Sequence, residues 1–101
     1  MHKLASKVSS AMTFSAEKLI KQGNEFHKSG QLDKAETVYR HILEKLPEHP
    51  DALHFLGIIA QQCDNYASAI LLIKKAIKMS PDYYKAHNSL GNVYRESQKI
   101  E

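Results

Sequence analysis

The sequence contains few of the residues on which disulfide, metal and membrane chemistry depend. Its 101 residues include one cysteine, Cys63, and no apolar run that approaches the length of a membrane span. A lone cysteine rules out an internal disulfide and a cysteine-based metal site, and it favours a reducing compartment. We therefore expect a cytoplasmic protein that has no membrane partner.

Arginine is also scarce, which bears on nucleic-acid binding. The formal net charge is only +3, and Arg40 and Arg95 are the only guanidinium groups. A nucleic-acid surface would need a denser stripe of lysine and arginine with aromatic residues between them. We predict that the lysines lie on solvated faces and that the chain binds no nucleic acid.

Recognised catalytic motifs are absent as well. The sequence has no His-Glu-x-x-His pair, no Gly-rich phosphate loop and no Gly-x-Ser-x-Gly nucleophile turn. His27 and His54 are candidates for two ligands of a metal ion, but no third ligand accompanies them. We predict that the chain is not an enzyme and that it holds no metal and no cofactor.

What the sequence does contain is a period of 34 residues. Glycine recurs at this interval, as Gly23, Gly57 and Gly91. Further residues keep the same interval: Ala35 and Ala69, Pro47 and Pro81. A fixed period of this length indicates stacked repeats and not one closed core.

Each period carries two amphipathic patterns with helical spacing, separated by helix-ending residues. Gly30 suits the left-handed position after a helix, and Asp64 takes the same place one period later. Pro47 ends the second pattern, and Pro50 suits the first turn of the third. We predict five helices, at about residues 15–29, 32–46, 50–62, 66–79 and 84–97.

The order of residues in the second period resembles the tetratricopeptide repeat, a unit of helix, turn and helix. The resemblance rests on Leu53, Leu56, Gly57, Ala60, Ala69, Ile73 and Pro81, whereas polar Gln22 and His87 depart from the family pattern. It implies an all-α fold, a superhelix of antiparallel helix pairs with about five helices.

The resemblance also predicts how the chain is divided. Residues 1–15 form an N-terminal extension, either a short helix or a frayed end. Residues 16–49 and 50–83 form two repeats, and 84–101 supply only the first helix of a third. We expect Leu90, Val93 and Tyr94 to face the second repeat, which leaves the outer side of the last helix without a partner.

Three explanations of the incomplete third repeat are open. The chain is a truncated piece of a longer protein, or it self-associates through the open face of its last helix, or that helix tolerates exposure. We favour the first explanation.

The resemblance implies a binding surface, because in this family the first helices of the repeats usually form a concave groove for a peptide or partner protein. The corresponding residues are Asn24, His27 and Lys28 in the first repeat, His54, Ile58 and Gln61 in the second, and Lys85, Asn88, Asn92 and Arg95 in the third. Further groove positions are Glu17, Ile20, Asp51, Gln62 and Glu96. Amide side chains pair with any peptide backbone, and cationic groups hold carboxylates.

We therefore predict a non-catalytic module that binds a peptide or partner protein. The phrases Asp-Ala-Leu-His-Phe-Leu-Gly and Ala-His-Asn-Ser-Leu-Gly-Asn are also similar to repeats that precede the catalytic domain in O-linked N-acetylglucosamine transferase-like proteins. The alternative is thus an N-terminal fragment of a larger glycosyltransferase-like enzyme, which recruits substrate. A subgroup that clamps chaperone carboxylates matches at Asn24 and Lys85, but Ile20, Phe55 and Ser89 depart from it.

Overall fold

A computed structural model describes residues 14–99. Within this range the chain forms five α-helices and no strand: α1 Ala16–Lys28, α2 Leu32–Lys45, α3 Pro50–Gln62, α4 Tyr66–Met79 and α5 Tyr84–Gln98. Every helix end lies within one residue of its predicted position, so the all-α prediction is confirmed. The predicted short helix or frayed end at 1–15 falls almost wholly outside the described residues.

The first helices of the first two repeats begin at equivalent residues, and in both a side chain caps the first turn. Ser15 precedes α1, and its Oγ accepts a hydrogen bond from the Lys18 backbone N–H at 3.3 Å. His49 precedes α3, and its Nδ1 accepts from the Ala52 N–H at 3.2 Å. Each cap satisfies one of the backbone donors that the first turn of a helix leaves unpaired.

The turns inside the two helix pairs have the same backbone geometry. Gly30 has φ +82° and Asp64 has φ +62°, both in the left-handed region. In each turn the next N–H reaches back to the helix: Gln31 N–H donates to Phe26 O at 2.9 Å, and Asn65 N–H donates to Ala60 O at 2.8 Å. This pattern is the Schellman motif, which ends a helix at a left-handed residue and reverses the chain.

The first pair, α1 and α2, packs antiparallel. Near the turn, Lys34 Nζ lies 5.7 Å from the Phe26 ring centroid, and at the far end the rings of Phe14 and His41 lie 5.9 Å apart. Between these points, a Cβ on Gly23 would lie 2.6 Å from Tyr39 Cε1. The absence of a side chain at Gly23 is thus what allows the Tyr39 ring to fill the centre of the pair.

The apolar core joins each second helix to the first helix of the next repeat. One cluster combines α2 with α3: Ala35, Tyr39, Ile42, Ala52, Leu56 and Ile59. The other combines α4 with α5: Ala69, Ile73, Ala86 and Val93. Because burying a large apolar side chain contributes about 1.5–3 kcal/mol, these contacts hold the stack of repeats together.

The side chains of α5 depart from the prediction at one position. Val93 is buried and Leu90 packs against the second cluster, but Tyr94 is 41% exposed. Tyr94 follows Leu90 by four residues and Val93 by one, so it lies at the edge of the packed side, where no helix among the described residues covers it. The prediction that Tyr94 faces the second repeat was therefore wrong.

Candidate functional site

Three hydrogen-bonded contacts join α1, α3 and α5 side by side. The surface of these helices that carries the predicted groove residues is termed the A-helix face. His27 Nε2 on α1 donates to Gln62 Oε1 on α3 at 2.7 Å. On α3, Gln61 Nε2 donates to Glu96 Oε1 of α5 at 3.5 Å. The third contact is made by His54. Polar side chains thus fix the spacing of the helices across this face.

A depression of about 340 Å³ lies between α1 and α3 and is termed the α1/α3 pocket. Its lining residues are Asn24, His27, Lys28, Phe55 and Ile58. Four of the five are predicted groove residues, which the fold therefore brings together. Phe55 was not among the predicted residues, although its position three residues before Ile58 puts both on one side of α3.

The orientation of Asn24 is set from beneath the pocket. Tyr39 is fully buried, and its hydroxyl donates to Asn24 Oδ1 at 2.5 Å. Burial raises the pKa of Tyr39 to about 12, so the phenol keeps its proton and remains a donor. With its oxygen engaged in this way, Asn24 has its amide N–H groups left for other contacts.

His54 lies under the A-helix face and not on it. The side chain is only 3% exposed, its Nδ1 lies 2.9 Å from the Tyr83 hydroxyl oxygen, and its Nε2 lies 2.7 Å from Ser89 Oγ. Phe55 stacks on the ring at a centroid distance of 5.3 Å. Both nitrogens are engaged inside the chain, so His54 is placed to link α3 to α5 and not to meet a peptide directly.

The hydrogen bonds of this cluster are satisfied when His54 is neutral. Burial, and secondarily the nearby Asp51 carboxylate, raise the pKa of Tyr83 above its usual value, so the phenol keeps its proton beside His54. Burial lowers the pKa of His54; the Asp51 carboxylate offsets part of this shift, and Lys85 lowers the pKa by a smaller amount. A neutral ring donates through one nitrogen and accepts through the other, which suits its two hydroxyl partners, Tyr83 and Ser89.

The predicted residues of the third repeat lie on α5, apart from the α1/α3 pocket. Lys85, Asn88, Asn92 and Arg95 are all exposed. The side chains of Arg95 and Asn92 hydrogen bond to each other along the helix. The structure therefore divides the predicted groove into a pocket at one end and an open polar helix at the other.

The two histidines considered as metal ligands do not converge. His27 bonds to Gln62, whereas His54 bonds to Tyr83 and Ser89. Across residues 14–99, no three His, Cys, Asp or Glu side chains are grouped so as to hold a metal ion. In the same part of the chain, no helix is both long and apolar enough to cross a bilayer.

Helix pairs stacked at a 34-residue interval, with the first helices side by side on one face, define the class of the αα repeat proteins. Residues 50–83 match the model of the family described as Tetratricopeptide repeat. The chain is also 34% identical over 73 residues to the Caenorhabditis elegans Tetratricopeptide repeat-containing protein trd-1. The chain thus carries tetratricopeptide repeats, as predicted.

The solved structures that resemble the chain include the following two. A mutant of the Thermobaculum terrenum O-GlcNAc transferase superposes with a TM-score of 0.72 at 31% identity over 81% of this chain. The crystal structure of MamA superposes with a TM-score of 0.77 at 25% identity over 92% of this chain. The chain spans 9% of the trd-1 protein, 16% of the transferase chain and 54% of the MamA chain.

Proposed function

We propose that the chain is a protein-interaction module that binds an extended peptide segment of a partner protein across the A-helix face. The observation that supports this most directly is the α1/α3 pocket, where four residues predicted from the repeat pattern converge around an apolar floor. Pockets of this kind, mostly apolar with a few oriented polar groups, are the usual form of a ligand site.

The polar groups of the face suit a peptide backbone. Asn24 offers amide N–H groups to a backbone carbonyl, because Tyr39 already occupies its oxygen. Farther along the face, Lys85 and Arg95 are exposed cations that suit carboxylates of the partner. Binding of this kind would give affinity through the backbone and specificity through the pocket.

The proposed binding can be tested with a variant that removes donors without disturbing the core. Asn24→Asp keeps an oxygen for the Tyr39 hydroxyl but removes the N–H groups, and it is combined with Asn92→Ala and Arg95→Ala. We expect this triple variant to lose most of the partners that the parent protein captures from a lysate, as quantified by mass spectrometry.

The matched control carries Lys75→Ala and Lys78→Ala on the exposed side of α4, away from the A-helix face. This control should retain the captured set. Equal capture by the triple variant and the parent would rule out groove binding through these residues.

A second candidate function is recruitment of substrate for a catalytic domain on a longer chain. The similarity to an O-GlcNAc transferase chain, of which these repeats match 16%, favours this alternative. The repeats themselves would remain non-catalytic in either case. An antibody raised against residues 50–83 tests the alternative by showing the mass of the native protein. A mass far above 11.5 kDa would support this alternative, and a mass near 11.5 kDa would argue against it.

Two further proposals concern assembly and location. Self-association through the outer side of α5 would appear as a mass that rises with concentration in light scattering, whereas a constant monomeric mass would exclude it. Cytoplasmic location, proposed from the lone Cys63, predicts that the protein is recovered in the cytosolic fraction of its source cells.

A further inference from the structure

The lining of the α1/α3 pocket points to the kind of side chain that it accepts, an inference that rests on the proposed function. Phe55 and Ile58 supply apolar surface from α3, and both are only half-buried. Partly exposed aromatic and aliphatic groups at the bottom of a depression gain from contact with another apolar group, because that contact removes the remaining surface from water.

Contacts inside the chain hold the pocket walls in place. The Phe55 ring stacks between Tyr39, at a centroid distance of 5.6 Å, and His54, at 5.3 Å. His27 is bound to Gln62, so the outer end of the pocket is tied across α1 and α3. A pocket formed before binding loses little conformational entropy when it is filled, which favours a specific anchor.

The volume of the pocket fits one side chain of a peptide. At about 340 Å³ it stands at the lower end of the range of roughly 300–1,000 Å³ that is typical of small-molecule sites. A large aliphatic or aromatic side chain with its adjoining backbone occupies such a space, whereas a packed helix needs a longer groove.

The charge of the pocket is of one sign. Lys28 is the sole permanently charged residue of the lining, it is exposed, and no carboxylate lines the pocket with it. The neighbouring depression near the start of α1 differs, because Glu17 and Asp51 accompany Lys18 and Lys21 there. The α1/α3 pocket therefore complements an acidic group on a partner, since the partner carboxylate would meet no competing acid.

We propose that the α1/α3 pocket is an anchoring subsite for one bulky apolar side chain of the bound peptide, with an aspartate or glutamate within two residues of it held by Lys28. The preferred partner segment is thus extended, apolar at one position and acidic beside it. Asn24 binds the backbone carbonyl between the two.

The test is selection from a displayed library of random 12-residue peptides, using the whole chain as bait. We expect the enriched peptides to share a Leu, Ile, Met or Phe with an Asp or Glu within two residues. A synthetic peptide of that sequence should bind Ile58→Ser and Lys28→Glu about tenfold more weakly than the parent, as measured by fluorescence polarisation.

A charge exchange separates a specific ion pair from general damage. Replacing the acidic residue of the peptide by lysine should restore binding to Lys28→Glu while weakening binding to the parent. Lys75→Glu on α4 provides the matched control, and it should bind the original peptide as the parent does.

The outcomes distinguish this inference from the proposed function on which it rests. Enriched peptides that lack the apolar and acidic pair, but still depend on Asn24, would overturn the anchor and leave groove binding standing. A library that yields no binder, together with unchanged partner capture by the triple variant, would overturn both.

Discussion

Gly57 and Gly91 occupy the same position in successive repeats, yet their surroundings differ. A Cβ on Gly57 would lie 2.6 Å from Ile73 Cγ1 and 3.3 Å from the Ala69 carbonyl oxygen. The close approach of α4 to α3 therefore requires a glycine at position 57. A Cβ on Gly91 would meet nothing closer than Arg95 Nη1, at 3.9 Å. The same glycine thus recurs in both repeats, but it is structurally required only where a second helix packs against it.

The largest expected effect comes from breaking this comparison with a pair of alanine substitutions. Gly57→Ala should lower the free energy of unfolding by about 2 kcal/mol, because the clash with Ile73 and the Ala69 carbonyl outweighs the better helix propensity of alanine. Gly91→Ala should raise it by about 0.5–1 kcal/mol, because only the propensity changes. Urea unfolding followed by circular dichroism measures both, and equal effects would show that Gly91 is packed like Gly57.

The hydrogen bond between Ser89 and His54 is expected to hold α5 against α3. Ser89→Ala leaves one ring nitrogen of the buried His54 without a partner and should lower the free energy of unfolding by about 1–2 kcal/mol. Asn88→Ala, on the exposed side of the same helix, should change it by less than about 0.5 kcal/mol. Hydrogen exchange should accelerate in α5 more than in α3 for the first variant, and a uniform acceleration would argue against the link.

The contact between α3 and α5 through His54 should also make the stability of the chain depend on pH. Folding lowers the pKa of His54 below its usual 6.5, so the unfolded chain binds the proton more readily. Stability is therefore full above pH 6.5 and falls as the pH drops through the lower folded pKa. The groups around the ring are Asp51 on α3, Tyr83 before α5 and Lys85 on α5.

The matching variant is His54→Asn, whose amide hydrogen bonds without titrating in this range. Its free energy of unfolding should fall less between pH 7.5 and 5.5 than that of the parent. His49, which caps α3 through Nδ1, is retained in both proteins, so the comparison changes only the residue at position 54. Identical slopes for the two proteins would refute a role for His54 in the pH dependence.

The smallest expected effect lies in the turns. Gly30→Ala should cost about 1 kcal/mol, because a left-handed backbone disfavours any Cβ, whereas Asp64→Gly should gain a few tenths to about 1 kcal/mol. The first change removes the glycine from one turn, whereas the second puts a glycine in both turns. The midpoint temperature of thermal unfolding measures the effect of each. A gain from Gly30→Ala would show that this turn relaxes in solution.

The repeat period accounts for most of what was predictable about the fold. The helix ends and the left-handed turns at Gly30 and Asp64 follow from local residue chemistry at a fixed interval. Tyr94 was misplaced because it lies at the edge of the side of α5 that packs on the second repeat, where no helix among the described residues covers it.

The candidate site was predictable in part. The groove positions implied by the resemblance to the tetratricopeptide family included Asn24, His27, Lys28 and Ile58, which do line one pocket. It did not reveal that His54 is buried or that Phe55 lines the pocket, because both depend on the side chains of Tyr39, Tyr83 and Ser89 packed around them. Sequence spacing fixes which face of a helix a residue occupies, and neighbouring side chains decide its depth.

The central claim is that partners bind at the A-helix face, and site-specific photo-crosslinking tests it most directly. A benzoylphenylalanine replaces Gln61, three residues beyond Ile58 on α3, in one protein and Lys75 on the outer side of α4 in another, so that the pocket residues themselves are unchanged. The account predicts abundant crosslinks to partner proteins from position 61, few from position 75, and a loss of the former when Asn24→Asp and Ile58→Ser are added. Crosslinks that arise mainly from position 75, or that persist from position 61 despite those two substitutions, would contradict it.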